Sequence, residues 1–389
     1  MARRPPVAQR RAPPKPPPAG ALARQARSRR PARRRRGAPR LPRRLHGPRS
    51  AARAGGRVRL LIVLPGALGD VIRALPLLGR IRRARADACL GWAVEPPSAP
   101  LLAGHPWLDR VHVFERPRGA RALVPFLRRV RAERYQVALD LGRGVKSALI
   151  ARASGADERI GFARADAREG SWLLATRRLP PQGIERPKLA QFLAFADALG
   201  LPPAPVEFGL APTAEEARDA AAMTAGLDGP LVAACVGSSC PSRRWFPERT
   251  ATVLRELRAR HGASAVLLGA AADAPFALET LRATDGGVRD LVGRTTLRQL
   301  LAILARARLV FGPDSGALHL AAALGTPAVS LWGATSALRS TPFGCERLTV
   351  VGRAPCAPCF LRDCPIERVC MRDIATDAVM ARAAAVLAQ

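Results

Sequence analysis

The first 59 residues contain no Asp or Glu, although they hold 20 Lys and Arg. They have almost no large apolar residue either, and runs such as Arg33-Arg34-Arg35-Arg36 and Pro16-Pro17-Pro18 take their place. Such a segment cannot bury enough surface to offset the entropy of ordering. Residues 1–57 are therefore expected to form a disordered tail. No apolar stretch follows these arginines, which argues against a secretory signal. No run reaches the ~20 apolar residues of a membrane-spanning helix, so the chain is expected to be soluble or peripheral, on the cytoplasmic side. The dinucleotide fingerprint Gly-x-Gly-x-x-Gly is missing as well, which argues against a dehydrogenase. Eight cysteines in 389 residues are too few for a disulfide scaffold.

What is present is an ordinary globular chain behind an unusual beginning. Residues 60–389 hold 43 basic and 30 acidic residues, so much of the net charge of +33 belongs to the tail. The tail fits an electrostatic arm for anionic lipid or nucleic acid, or an inert extension, since a charge run alone identifies no partner. A nucleic-acid partner is not expected. The apolar share of 48% is normal, and 389 residues exceed what one core organises, roughly 250–300. Two domains are expected.

Order begins at Val58. The run Val58–Leu64 is too continuously apolar for a sheet with one wet face and predicts a buried parallel strand. Further strands are predicted at 88–94, 111–114 and 136–140, with helices at 121–132 and 187–199 between or after them. Prolines 202, 203, 205 and 212 suggest a connection. A second alternating series then follows, with strands at 231–236, 264–268, 308–311 and 327–332 and helices at 247–260, 274–283, 296–306 and 316–324. This alternation predicts an α/β fold of two Rossmann-like α/β/α halves. The expected boundaries are an N-terminal domain at 58–204, a linker at 205–228, a C-terminal domain at 229–374 and a last helix at 375–389. Ligands in such sheets sit beyond the carboxyl ends of the strands, so the expected site is the cleft between the halves.

Four motifs could carry chemistry. Pro65-Gly66-Ala67-Leu68-Gly69-Asp70 is a turn between strand and helix, in which Gly66 and Gly69 would let backbone approach a ligand. Asp70 fits a general base for an attacking hydroxyl or a helix cap. In Phe311–Pro327 a strand ends in Asp314-Ser315-Gly316 and a helix follows with His319 in its first turn. Its backbone N–H groups would bind a diphosphate. Asp314 would accept from a sugar hydroxyl and His319 would donate to a phosphate oxygen; alternatively Asp314 and Ser315 cap the helix and His319 lies at the surface. In Val236–Trp245 a Gly-Ser loop runs into Arg243 and Arg244, whose fixed charge suits a diphosphate or merely an exposed basic loop. Cys356, Cys359, Cys364 and Cys370 fit a structural metal site, disulfides or reduced packing thiols.

Together these residues resemble glycosyltransferase family 9, the family of the ADP-heptose:lipopolysaccharide heptosyltransferases. The carriers are the turn at Gly66–Asp70, Arg243-Arg244-Trp245, Asp314–His319, Leu331-Trp332-Gly333-Ala334-Thr335 and the cysteine run ending Cys370-Met371-Arg372-Asp373-Ile374. The resemblance implies the two-domain glycosyltransferase B architecture, with acceptor on the N-terminal domain and donor on the C-terminal one. It implies inverting transfer without metal or resident cofactor, from a nucleotide sugar such as ADP-heptose to a lipopolysaccharide core or related glycan. It also implies a place in the cytoplasm or on the cytoplasmic face of the inner membrane. By the same resemblance Asp70 matches the catalytic base, Arg243 stands where a donor-binding Lys is frequent, and Asp273 stands where a Glu near the nucleoside is frequent. Asp314, Ser315, Gly316 and His319 match the donor loop. Phe246 departs from the usual Pro. The competing readings are a nucleotide-sugar epimerase or hydrolase of the same architecture, and a basic-tail adaptor.

Overall fold

The computed structural model of the chain describes residues 57–115, 119–284 and 286–389. The expected tail at 1–57 lies outside the described residues except for Arg57.

Two parallel sheets account for the architecture. The first is built from β1 (Arg59–Val63), β2 (Cys89–Val94), β3 (Arg110–Val113), β4 (Val137–Asp140), β5 (Glu158–Gly161) and β6 (Arg177–Arg178), in the order β3-β2-β1-β4-β5-β6. The second comprises β7 (Leu231–Cys235), β8 (Ser264–Leu268), β9 (Val288–Asp290), β10 (Leu309–Pro313), β11 (Ala328–Trp332) and β12 (Thr349–Val351), ordered β12-β11-β10-β7-β8-β9. Read from its first strand outward, the second sheet repeats the order of the first. Both are the doubly wound Rossmann order, which reverses direction beside the first strand of each half.

The longer helices are α1 (Leu68–Ala84), α2 (Gly119–Ala132), α3 (Val145–Ala153), α4 (Lys188–Ala198), α5 (Ala214–Met223), α6 (Pro247–His261), α7 (Ala274–Arg282), α8 (Leu297–Arg306), α9 (Gly316–Ala323) and α10 (Thr376–Leu387). They cover both sheet faces, which is why β1 reads as unbroken apolar sequence. Leu60 and Ile62 enter one buried cluster with Leu75 and Leu78 of α1. Leu61 and Val63 enter another with Phe126 and Val130 of α2. Full burial of each such side chain stabilises by about 1.5–3 kcal/mol.

Within 205–228, expected to link the domains, residues Ala214–Met223 form α5. A capping box starts it: Glu216 N–H donates to Thr213 Oγ1, and Glu216 Oε2 accepts from Thr213 N–H at 2.8 Å. α5 packs on α8, where Arg298 pairs with Glu216 at 2.6 Å.

Candidate active site

The first turn of α1 and the first turn of α9 meet where the two sheets face each other. A methyl group added at Gly69 would lie 2.9 Å from His319 Cδ2 and 3.7 Å from Gly316 Cα. One added at Gly316 would lie 3.0–3.1 Å from Leu68 side-chain atoms. Each glycine is small because the other half of the molecule stands against it. Gly66 differs: an added methyl would meet only Leu64 Cδ1, at 4.0 Å. Of the two glycines in the turn, close approach therefore requires only Gly69.

From this contact opens a cleft of about 860 Å³, lined by both halves. Asp70, Arg73 and Lys188 line it from the first half, and Arg243, Asp273, Asp314, Ser315, Gly316 and His319 from the second. Every predicted site residue except Gly66 is thus on one cavity.

Asp70 sits in the first turn of α1 without capping it. Its Oδ1 accepts from Arg73 Nη2 and from Lys188 Nζ, each at 2.6 Å. Burial by itself would raise this carboxyl, but the two cations outweigh it and hold it below the usual carboxylate range. A general base works best with a pKa raised by burial, and the two partners give Asp70 the opposite shift. Arg73 lies one helical turn from Asp70 and could have been read from i, i+3 spacing. Lys188, at the start of α4, carries no sequence signal of this contact.

His319 is buried, not at the surface. Its Nε2 lies 2.6 Å from Arg73 Nη1. A guanidinium has only donors, so Nε2 accepts and the ring is neutral. Burial, reinforced by Arg73, places its pKa well below the ordinary histidine value. The expected hydrogen bond to a phosphate oxygen is therefore not available from Nε2. His319 instead joins α9 to Arg73 of α1.

Ser315 is the N-cap residue of α9, yet no side-chain capping bond forms there, and its buried Oγ has no partner. Asp314 turns elsewhere: its Oδ2 accepts from Thr335 Oγ1 at 2.8 Å and pairs with Arg243 Nη1 at 3.1 Å. The capping reading of Asp314 and Ser315 is not what the structure contains. The N-terminus of α9 faces the cleft uncapped.

Arg244 pairs with Asp273 Oδ1 at 2.6 Å, and Asp273 Oδ2 accepts from Ala270 N–H at 3.0 Å. Gly237 makes room for this carboxylate, since an added methyl would lie 2.1 Å from Asp273 Oδ2. Arg339, from the turn Ala337–Ser340, completes the wall. The Nε atoms of Arg73, Arg243, Arg244 and Arg339 are all buried without a partner. Four guanidinium groups thus stand around one cavity and give its wall a concentration of fixed positive charge.

The cysteine segment buttresses this wall. Ser242 Oγ donates to Leu361 O at 2.6 Å, and Ser242 N–H to Arg362 O at 3.1 Å. Arg368 Nη1 donates to the carbonyls of Arg244 and Trp245 at 3.0 and 3.1 Å. Its guanidinium also lies 4.5 Å from the Phe246 ring, which gives a use to the residue that departs from the family pattern. All eight cysteines are free thiols. Among the described residues no group of three or more His, Cys, Asp or Glu side chains converges as metal ligands do.

Residues 124–370 match the model of glycosyltransferase family 9 (heptosyltransferase). The chain belongs to this family. It is similar to lipopolysaccharide heptosyltransferase 1 of Pseudomonas aeruginosa, 29% identical over 325 residues that cover 80% of this chain and 88% of the relative. It is also similar to the lipopolysaccharide core heptosyltransferase OpsX of Haemophilus influenzae, 25% identical over 287 residues, 73% of this chain and 81% of that one. Among solved structures, the ADP-heptose lipopolysaccharide heptosyltransferase II of Escherichia coli shares the fold at TM-score 0.69 and 23% identity, over 85% of this chain and 99% of that one. This family 9 protein is a glycosyltransferase with the expected two-domain architecture. Among the described residues no helix is long and apolar enough to cross a membrane.

Proposed function

We propose that the enzyme moves heptose from ADP-heptose to a sugar of a lipopolysaccharide core or related glycolipid, with inversion at the anomeric carbon. One observation carries the catalytic part: a carboxylate from α1 and the uncapped, arginine-flanked turn at Ser315–Gly316 open onto the same cleft. The choice of sugar and acceptor rests on the similarity to the heptosyltransferases above, whose names specify lipopolysaccharide and, for the E. coli protein, ADP-heptose.

In this reading an acceptor hydroxyl attacks the anomeric carbon from the face opposite the diphosphate. Its oxygen forms the new glycosidic bond, its proton passes to Asp70, and the old carbon–oxygen bond leaves with its electron pair on ADP. Arg243, Arg244 and the N-terminus of α9 stabilise the charge that develops on the diphosphate, as preorganised donors do. The carboxylate is ionised and ready to accept, but it is held by Arg73 and Lys188. Both cations bond Oδ1, so Oδ2 is the oxygen that would accept the proton of the incoming hydroxyl.

Two measurements test the reading. In a thermal-shift comparison of ADP-, UDP- and GDP-sugars, ADP-heptose should raise the melting temperature most, because a bound ligand stabilises by mass action. Asp70→Asn should keep that shift and lose about 10²–10⁴-fold in turnover, the usual worth of a general base. Full turnover in Asp70→Asn would remove Asp70 from the reaction. Turnover of the donor without acceptor, at the rate seen with it, would favour a hydrolase.

A further inference from the structure

A surface helix ordinarily turns polar side chains outward. α3 does not. Ser147, Ala148, Ile150 and Ala151 face the interior, while Val145, Leu149 and Arg152, spaced i, i+4 and i+7, form its exposed stripe. Leu149 is 53% exposed. The turn Ser171–Leu173 packs beside α3 and holds out Leu173, 71% exposed. The two leucines and Val145 make an apolar knob.

Arginines form a collar around it. Arg164 places its guanidinium 5.5 Å from the Trp172 ring, and Arg178 Nε donates to Trp172 O at 3.0 Å. Both are exposed, as are Arg152 and Arg168. Glu169, the carboxylate in this turn, is engaged by Val145 N–H at 3.0 Å. The knob is fastened to the loop after β4 through Arg143, whose carbonyl accepts from Arg168 N–H at 2.6 Å and Ser171 Oγ at 3.0 Å.

Leucines at the tip, a tryptophan at the shoulder and arginines around them match the layers of an anionic bilayer surface, from acyl boundary to phosphate. A protein partner would need shaped pockets for the isolated leucines; a lipid surface needs none. We propose that the Leu149–Leu173 knob and its arginine collar dock the N-terminal half on an anionic lipid surface, holding the Asp70 side of the cleft against the membrane. This rests on the reading that the acceptor is a glycolipid.

The test uses the full chain and vesicles of phosphatidylglycerol with brominated acyl chains, which quench only tryptophans that reach them. Trp92, Trp245 and Trp332 are fully buried, whereas Trp107 and Trp172 are both partly exposed, so the reporter is the part of the signal that Trp172→Phe removes, and attraction of the basic tail alone would bind vesicles without it. The expected result is quenching on phosphatidylglycerol, little on phosphatidylcholine, loss of the signal in Trp172→Phe, and at least a fivefold decrease in a Leu149→Asp, Leu173→Asp double variant of unchanged melting temperature. Vesicle binding without quenching, or quenching that the double variant keeps, would overturn the proposal. A failed heptose transfer with intact quenching would count against the assigned reaction and leave the docking face standing.

Discussion

Lys188 Nζ lies 2.6 Å from Asp70 Oδ1, although 118 positions separate the two residues. α4 closes onto α1, and the ammonium shares the carboxylate oxygen with Arg73. The consequence is a carboxylate that stays ionised well into acid and is a weaker base for it.

Removing one of the two cations should therefore move the pH profile. Lys188→Ala weakens the hold on the carboxylate, so its pKa rises and the acid limb of kcat should move to higher pH. Wild-type kcat should show no acid limb between about pH 5 and 8, since the carboxyl lies below even the ordinary value of ~3.9. Lys188→Arg should restore the wild-type profile. An unmoved limb in Lys188→Ala would mean that the ion pair does not set the basicity of Asp70.

Stability should respond with a definite sign. The folded pKa of Asp70 is depressed, so its contribution is fully present above the unfolded value of ~3.9 and is lost as pH falls through the folded one. Asp70→Asn lacks this contribution at every pH. The difference in melting temperature between wild type and variant should be constant above about pH 5 and shrink below about pH 4.

Asp140 should show the opposite slope. It ends β4, buried, and burial pushes its carboxyl up to about 7 against the hydrogen bonds from Ser147 and Gly142 N–H. A raised folded pKa gives stability that is fully present below the unfolded value and lost as pH rises through the folded one. Asp140→Asn cannot ionise, so its melting temperature should gain on wild type between about pH 4 and 7 and hold that gain above. A constant difference across this range would show that Asp140 does not titrate there.

Arg243 gives a test of the donor side. Its side chain is held by Asp314 at 3.1 Å with a buried, unpartnered Nε. Arg243→Ala should weaken ADP binding by about 10–100-fold in calorimetry, the usual worth of one or two hydrogen bonds to a charged group. Arg243→Lys should recover part of this, because it keeps the charge and loses the planar fork.

Much of this was legible in the sequence, for physical reasons. Strands buried on both faces, such as Leu60–Leu64 and Leu231–Cys235, are continuous apolar runs and stand out. The short edge strands Arg177–Arg178 and Val288–Asp290 carry charge instead of an apolar run, and nothing in their composition separates them from loops. α5 was hidden between prolines, although Thr213 and Glu216 spell its capping box. At the site, the turns at Gly66–Asp70 and Asp314–His319 were visible because strand-to-helix turns have few compositions. Lys188 and Arg339 were not, since only tertiary packing brings them beside Asp70 and the donor loop.

Gly69 and Gly316 stand where α1 and α9 approach each other across the two halves. Two helix starts packed this closely would act as a fulcrum: rocking one half against the other would sweep the distant rims of the groove through large arcs and leave Asp70 and the turn at Ser315–Gly316 almost fixed. On the proposed reaction, nucleotide and acceptor would then come and go at the edges while the distance that matters for bond exchange is kept. A single methyl at Gly69 would press on His319, and one at Gly316 on Leu68, so either would thicken that bearing from the opposite side.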